Sequence, residues 1–225
     1  MNVVSRVFGS TIGKKLIVGI TGAGLFAFVL QHMLGHLQMF VGWEAYNNYA
    51  ETMQSLGALK WGVRGILLLG VILHIWGTVT LTVKNRGARR ERYAMDKVTG
   101  ASLASRTMII SGLILFGFII YHLLQFTFGV TDPEVFSLKD PMGQHDVYAG
   151  MVIAFRNPLI SGFYILSMGI LCMHLSHGVA SFFRSLGLMD NRYRKLEEQF
   201  ALVASIIVFL GFVSVPVAIL ASVIR

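Results

Sequence analysis

Charge and cysteine are what this sequence has least of. Only 13% of its 225 residues are Asp, Glu, Lys or Arg, while 55% are hydrophobic. A soluble domain carries about a quarter charged residues to wet its surface, so a water-soluble globule is excluded and a membrane protein is implied. Cys172 is the sole cysteine. An intramolecular disulfide is therefore impossible, and thiolate metal or iron–sulfur sites within the chain are excluded by count. Set in an apolar run, Cys172 reads as a small buried apolar residue. Acidic residues are scarcer than basic ones, 11 against 19, for a net charge of +8. In a soluble protein that excess would point to nucleic acid. Here no basic, aromatic-laced surface remains once the apolar segments are set aside, so no nucleic-acid partner is expected, and the charge fits loops on one face of a bilayer. Of the four prolines, only Pro216 falls in the interior of an apolar run. With no fixed-period repeat or low-complexity tract, residues 1–225 read as a single all-α domain.

What the sequence does contain is five apolar runs: 16–41, 62–83, 107–129, 157–182 and 201–223. About 20 apolar residues at 1.5 Å per residue match a hydrocarbon core of about 30 Å, so five transmembrane helices in one bundle are expected. The first run follows Arg6, Lys14 and Lys15 and could mimic a signal peptide. At about 25 residues it is too long for one, and no small-residue cleavage pattern follows. Pro216 should kink the fifth helix. Orientation comes from the connectors. Arg6, Lys14 and Lys15 precede the first run. Lys84, Arg86, Arg89, Arg90, Arg92, Lys97 and Arg106 fill the second connector, and Arg184, Arg192, Arg194 and Lys195 the fourth. That places 14 of the 19 basic residues on one side. The positive-inside rule then predicts a cytoplasmic N-terminus and an outer C-terminus. Trp43, Tyr46, Tyr49 and Trp61 are expected in an outer aromatic belt. Tyr46, Tyr49, Met53 and Leu56 recur at helical spacing, which predicts an interfacial helix over 44–56. The stretch 130–156, with Pro133 and Pro141, reads as a long outer loop.

The polar residue these runs contain is histidine. His32 and His36 lie in the first, His74 in the second, His122 in the third, and His174 and His177 in the fourth. Only His145 sits well out in a loop. Taken alone, each reads as an imidazole bonded to a backbone carbonyl between helices. Taken together they sort by depth. His32 lies 17 residues from Lys15 and His122 lies 16 from Arg106, both about 25 Å from the basic edge at 1.5 Å per residue. His74 and His174 each lie 10 residues from Lys84 and Arg184, about 15 Å from that edge. Two depth-matched pairs result, His32/His122 and His74/His174, about 10 Å apart along the membrane normal. No carboxylate or thiolate shares their depth, which disfavours a hydrolytic zinc site. Bis-histidine haem fits better: one imidazole above and one below the ring iron, with both axial positions filled, so that the group carries electrons. Gly19, Gly22, Gly24, Gly70, Gly77, Gly112, Gly117, Gly162 and Gly169 would let four helices part around such rings. His36 and His177 lack depth-matched partners. Each can bond a haem propionate or a carbonyl, and His36 can instead touch a quinone.

The same residues carry a resemblance. Ser10–Lys15 (STIGKK), QHMLGH at 31–36, EAYNNYAETMQSLG at 44–57, LHIWG at 73–77, YHLLQF at 121–126, NPLISGFYIL at 157–166 and HLSHGVASFFRSLGL at 174–188 span nearly the whole chain. They resemble the cytochrome b membrane anchor of succinate:quinone oxidoreductases, that is, succinate dehydrogenase and fumarate reductase of complex II, in the class with five helices, one anchor polypeptide and two haems b. The resemblance implies that His32, His74, His122 and His174 are haem ligands, the first paired with the third and the second with the fourth. Where that family often has asparagine this chain has His36, so no ligand role carries over to it. It further implies a flavoprotein and an iron–sulfur subunit docked on the cytoplasmic face, electron passage between the iron–sulfur chain and quinone, menaquinone in the two-haem class, and assembly as a larger complex in membrane lipid. Quinone chemistry is expected near the outer pair, because a quinone at the inner edge would leave the outer haem idle. His36 would bond the quinone there and Glu51, with Glu44 nearby, would relay protons. Two alternatives stand: a dihaem subunit of another respiratory dehydrogenase, such as a hydrogenase or formate dehydrogenase, and a metal or proton transporter built on paired histidines. A transporter should show intramembrane carboxylates or broken helices.

Overall fold

The computed structural model describes residues 2–87, 103–187 and 191–225. A short helix α1 (Val3–Gly9) precedes α2 (Thr11–His36), which a 3-10 turn extends to Phe40. Then come α3 (Trp43–Ser55), α4 (Ala58–Gly87), α5 (Leu103–His122), α6 (Pro133–Phe136), α7 (Val147–Arg156), α8 (Pro158–Ser185) and α9 (Arg194–Leu220). A single bridge, Lys139 to His145, is the extent of β pairing among the described residues. Five segments are long and apolar enough to cross a membrane: Thr11–Phe40, Ala58–Gly87, Thr107–Thr127, Pro158–Ser185 and Arg194–Leu220. The chain is thus an all-helical, multi-pass membrane protein. Each observed span covers its predicted run closely. The helices overrun the apolar stretch at the basic end, since backbone hydrogen bonding continues past the point where hydropathy stops. α9 passes through Pro216 without ending.

The helix starts have local causes. Ser10 accepts from the Gly13 N–H at the head of α2, and Asp146 accepts from Ala149 at the head of α7. Asp132–Pro133 and Asn157–Pro158 combine a capping side chain with proline in the first turn, where its missing N–H costs nothing. α8 and α9 pack on small residues: Ala180, Ala201 and Ser205 are buried, so the backbones approach closely. Met33, Leu175 and Val208 join α2 to that pair. On α4, by contrast, Ile66, Leu68, Leu69 and Ile72 are all more than half exposed, as a lipid-facing helix requires.

The bundle has two distinct ends. At the basic end Lys84 Nζ donates to Thr11 Oγ1 at 2.8 Å, tying α4 to the start of α2. Arg184 there pairs with Glu197 at 3.0 Å and Glu198 at 2.9 Å, joining α8 to α9. Arg89, Arg90, Arg92 and Lys97 lie outside the described residues. The other end is a folded cap. The stretch expected as a loop, 130–156, contains α6 and α7, and Met151, Val152 and Phe155 of α7 pack against Tyr46, Tyr164 and Val215. Gly129, at φ +65°, lets Phe136 fold against it where a Cβ would collide with the ring. Beneath the cap lies a polar knot. Asn47 donates to Asp146 at 3.0 Å and to Asp140 at 3.3 Å, and accepts from the Tyr148 N–H at 2.9 Å. The interfacial helix exists as α3, but half its expected stripe faces the wrong way for an aromatic belt. Tyr46 is buried and Tyr49 lies against Gly35, while Met53 and Leu56 remain exposed. α3 closes the bundle end as well as lying across it.

Candidate functional site

Two pairs of imidazoles face each other across helices. His32 of α2 and His122 of α5 have ring centroids 5.8 Å apart with planes at 85°. His74 of α4 and His174 of α8 are 6.5 Å apart at 61°. These are the pairs that helical rise predicts, the first toward the cap and the second toward the basic end. Two imidazoles binding one transition metal from opposite sides, through bonds of about 2 Å, hold their ring centres about 6 Å apart. The ring spacing of both pairs would suit a metal between them, and at the His74/His174 pair the donor set would too. At the His32/His122 pair His36 Nε2 lies 3.1 Å from His32 Nε2, so that contact would have to give way first. Among the described residues no group of three or more His, Cys, Asp or Glu is placed to hold a metal ion, so a protein-only cage is not formed.

The basic-end pair is held by its Nδ1 atoms. His74 Nδ1 lies 3.2 Å from the Val18 carbonyl and 3.3 Å from Thr21 Oγ1. A carbonyl can only accept, so Nδ1 carries the proton and Nε2 is left with a lone pair. His174 Nδ1 lies 3.0 Å from Ser111 Oγ, and that hydroxyl donates its own proton to the Met108 carbonyl at 3.1 Å. With its proton on that carbonyl, Ser111 accepts from His174 Nδ1, and Nε2 is then the unprotonated nitrogen here too. Small residues make room: a Cβ on Gly22 would sit 3.2 Å from His74 Cε1, and one on Gly112 3.5 Å from His174 Cε1.

The cap-end pair sits in a different setting. Phe28 stacks on His32 at 5.3 Å and 17°, and Phe118 on His122 at 5.9 Å and 27°. Directly after His122 the helix widens into a π turn over Leu123–Thr127, a distortion frequent at functional sites. It carries Gln125, whose Oε1 accepts from the Tyr164 hydroxyl at 2.8 Å. The same hydroxyl lies 3.4 Å from His122 Nδ1. His36 is a third imidazole here. Its Nε2 lies 3.1 Å from His32 Nε2, and its Nδ1 lies 2.8 Å from the Tyr46 hydroxyl. Burial, with Tyr49 beside it, raises the Tyr46 pKa well above the usual phenol range, so Tyr46 stays protonated and can donate. His36 thus sits between the Tyr46 hydroxyl and His32 Nε2, in hydrogen-bond contact with both.

No family model, no curated protein and no solved structure matches the chain.

His36 thus joins the cap-end pair, whereas Glu51 and Glu44 are exposed on α3 and lie seven residues apart, on one side of the helix. His177 is half-buried, one turn beyond His174 toward the basic end. Sequence reading missed Thr21, Ser111, Tyr164, Gln125 and Tyr46, the residues that hold the imidazoles. A signal existed for two of them. Thr21–Gly22 and Ser111–Gly112 are the same kind of dipeptide, each 11 residues before a paired histidine. No fixed-period repeat runs through the chain, but this local pattern occurs twice.

Proposed function

We propose that this chain is a dihaem cytochrome b membrane anchor of the succinate:quinone oxidoreductase type, set in a bacterial cytoplasmic membrane. One observation carries the reading: two pairs of histidines, each pair drawn from different membrane-spanning helices, meet ring to ring at 5.8 Å and 6.5 Å. His74 and His174 would hold one haem and His32 and His122 the other. A bound haem b supplies reversible one-electron transfer. The chain's own part is to fix the imidazoles, to cover the cap-end pair with Phe28, Phe118 and Phe212, whose rings lie 5.3–6.0 Å from His32 or His122, and to set the two sites at different depths. On this reading the basic end faces the cytoplasm, where a flavoprotein and an iron–sulfur subunit dock against Lys, Arg and the described Arg184–Glu197–Glu198 network. The cap faces outward, and quinone, menaquinone in this class, reacts near His36. Glu51, exposed at the cap, would pass protons to water.

The test is the visible spectrum of the purified protein, with haem extracted and counted. Two haems b per chain and a split α band on reduction are expected. A colourless protein sinks the reading and favours a transporter built on paired histidines.

A further inference from the structure

The two helices that carry the cap-end histidines also hold the basic-end ones, by one repeated device. Residues 21–32 read TGAGLFAFVLQH and residues 111–122 read SGLILFGFIIYH. Both begin with a hydroxyl residue and glycine. Both carry Leu–Phe at the fifth and sixth positions, Phe at the eighth and His at the twelfth. The geometry repeats with the letters. Phe28 and Phe118, each one turn before the histidine, both stack on it. Thr21 and Ser111 both lie within 3.3 Å of Nδ1 on the histidine of a neighbouring helix. Gly22 and Gly112, next along, both pass the Cε1 edge of that same ring. In each copy the hydroxyl proton is taken by a carbonyl of its own helix, Ile17 at 2.7 Å for Thr21 and Met108 at 3.1 Å for Ser111. The oxygen is left as an acceptor.

We infer that Thr21–Gly22 and Ser111–Gly112 are two copies of one imidazole cradle, whose hydroxyls fix His74 and His174 as Nδ1–H tautomers and present both Nε2 atoms to a shared metal. Neither hydroxyl touches the metal, so both are positioning residues. The glycine lets the ring come close enough for the bond, and a bond donated from Nδ1 leaves the lone pair on Nε2. An accepting oxygen on Nδ1–H also makes the imidazole a stronger donor through Nε2, which favours the more oxidised metal. The copies are graded. His74 keeps the Val18 carbonyl as a second acceptor when Thr21 is changed, whereas Ser111 has no such backing at His174 among the described residues.

The inference rests on the haem reading, and the experiment separates the two. In the purified full chain, both haems are titrated by redox potentiometry in wild type, S111A, S111T and T21V, with H122A marking which haem is the cap-end one. Expected are two haems in every hydroxyl variant, an upward shift of the basic-end potential in S111A, a smaller one in T21V, and return toward wild type in S111T. Unchanged potentials in S111A, or a shift confined to the cap-end haem, overturn the cradle while leaving the haem reading intact. If the wild type binds no haem, imidazole 15N shifts decide: His174 should be the Nδ1–H tautomer in wild type and lose that preference in S111A. An Nε2–H tautomer in the wild type overturns the cradle.

Discussion

The two histidine pairs are alike in spacing and unlike in support. At the basic end, each imidazole is bonded at Nδ1 to a hydroxyl from the helix beside it and has the opposing ring 6.5 Å away. At the cap end, the bonds come from a tyrosine on α8 and from a third imidazole, which is itself bonded to Tyr46 on α3. The first arrangement is short-range and repeats along two helices. The second is a set of contacts that reaches the π turn through Tyr164 and Gln125 and the cap through His36 and Tyr46. A site that only passes electrons needs rigid ligands and dry walls. A site that also exchanges protons needs a polar route outward. On the proposed reading, the contrast suits the basic end to the simpler task and the cap to the proton-coupled one.

The largest effects should come from the pairs themselves. H74A and H174A should each remove the basic-end haem, and H32A and H122A the cap-end one, leaving one haem per chain by pigment extraction. Retention of two haems in H122A would break the pairing. Next is the cap. Asn47 spends its whole amide on three bonds, two of them to carboxylates in a buried setting, and N47A would leave Asp140 short of a partner. Losing bonds to charged groups costs about 2–3 kcal/mol, which corresponds to a thermal midpoint lower by roughly 5–10 °C. Melting followed by tryptophan fluorescence in detergent checks this. The cap-end haem should become easier to lose on heating while the basic-end haem stays. Loss of both together would mean that the two ends do not behave separately.

Much of this was legible in the residues because two physical constants are fixed. A bilayer sets the length of an apolar run, and helical rise sets depth, so the five spans and the two pairings followed from counting. Rotation about each helix axis was not legible. Tyr46 and Tyr49 have the spacing of an interfacial stripe, but spacing does not say whether the stripe meets lipid or the end of its own bundle. α7 was missed since ten residues between turn signals fall short of a span, although Asp146 and the later Asn157–Pro158 are capping signals. The bonds from Thr21 and Ser111 required knowing which helix lies beside which.

A smaller effect sharpens the basic-end half of the contrast. A Cβ on Gly22 would stand 3.2 Å from His74 Cε1, tighter than ordinary contact, while one on Gly112 would stand 3.5 Å from His174 Cε1, which is ordinary. G22A must push the His74 ring by a few tenths of an ångström, and G112A need not. Both variants should keep two haems. The low-spin electron paramagnetic resonance signal of the basic-end haem should shift in G22A and stay near wild type in G112A. Equal responses would mean that the rings are not seated against these glycines.

The smallest change is expected from Glu51, and it tests the other half. Glu51 is exposed on α3, outside the chain of bonds through Tyr46, His36 and His32. Nothing in haem seating depends on it, so E51Q should leave haem content, both potentials and the melting midpoint unchanged. Its proposed work is to hand protons between the cap and water. Water can partly replace an exposed carboxylate in that task, so the loss should fall well short of the 100-fold or more typical of an enclosed general base, at roughly two- to fivefold in quinone turnover. The measurement is succinate-driven quinone reduction by the whole complex, set against succinate oxidation with an artificial dye that bypasses the anchor. Slower quinone turnover with unchanged dye activity places Glu51 on the proton route at the cap. Equal rates in both assays would remove it from that route and leave Tyr46 and His36 as the cap's polar connection. The next variant is then Y46F, which cuts the hydroxyl bond to His36 while keeping the ring that packs under α7.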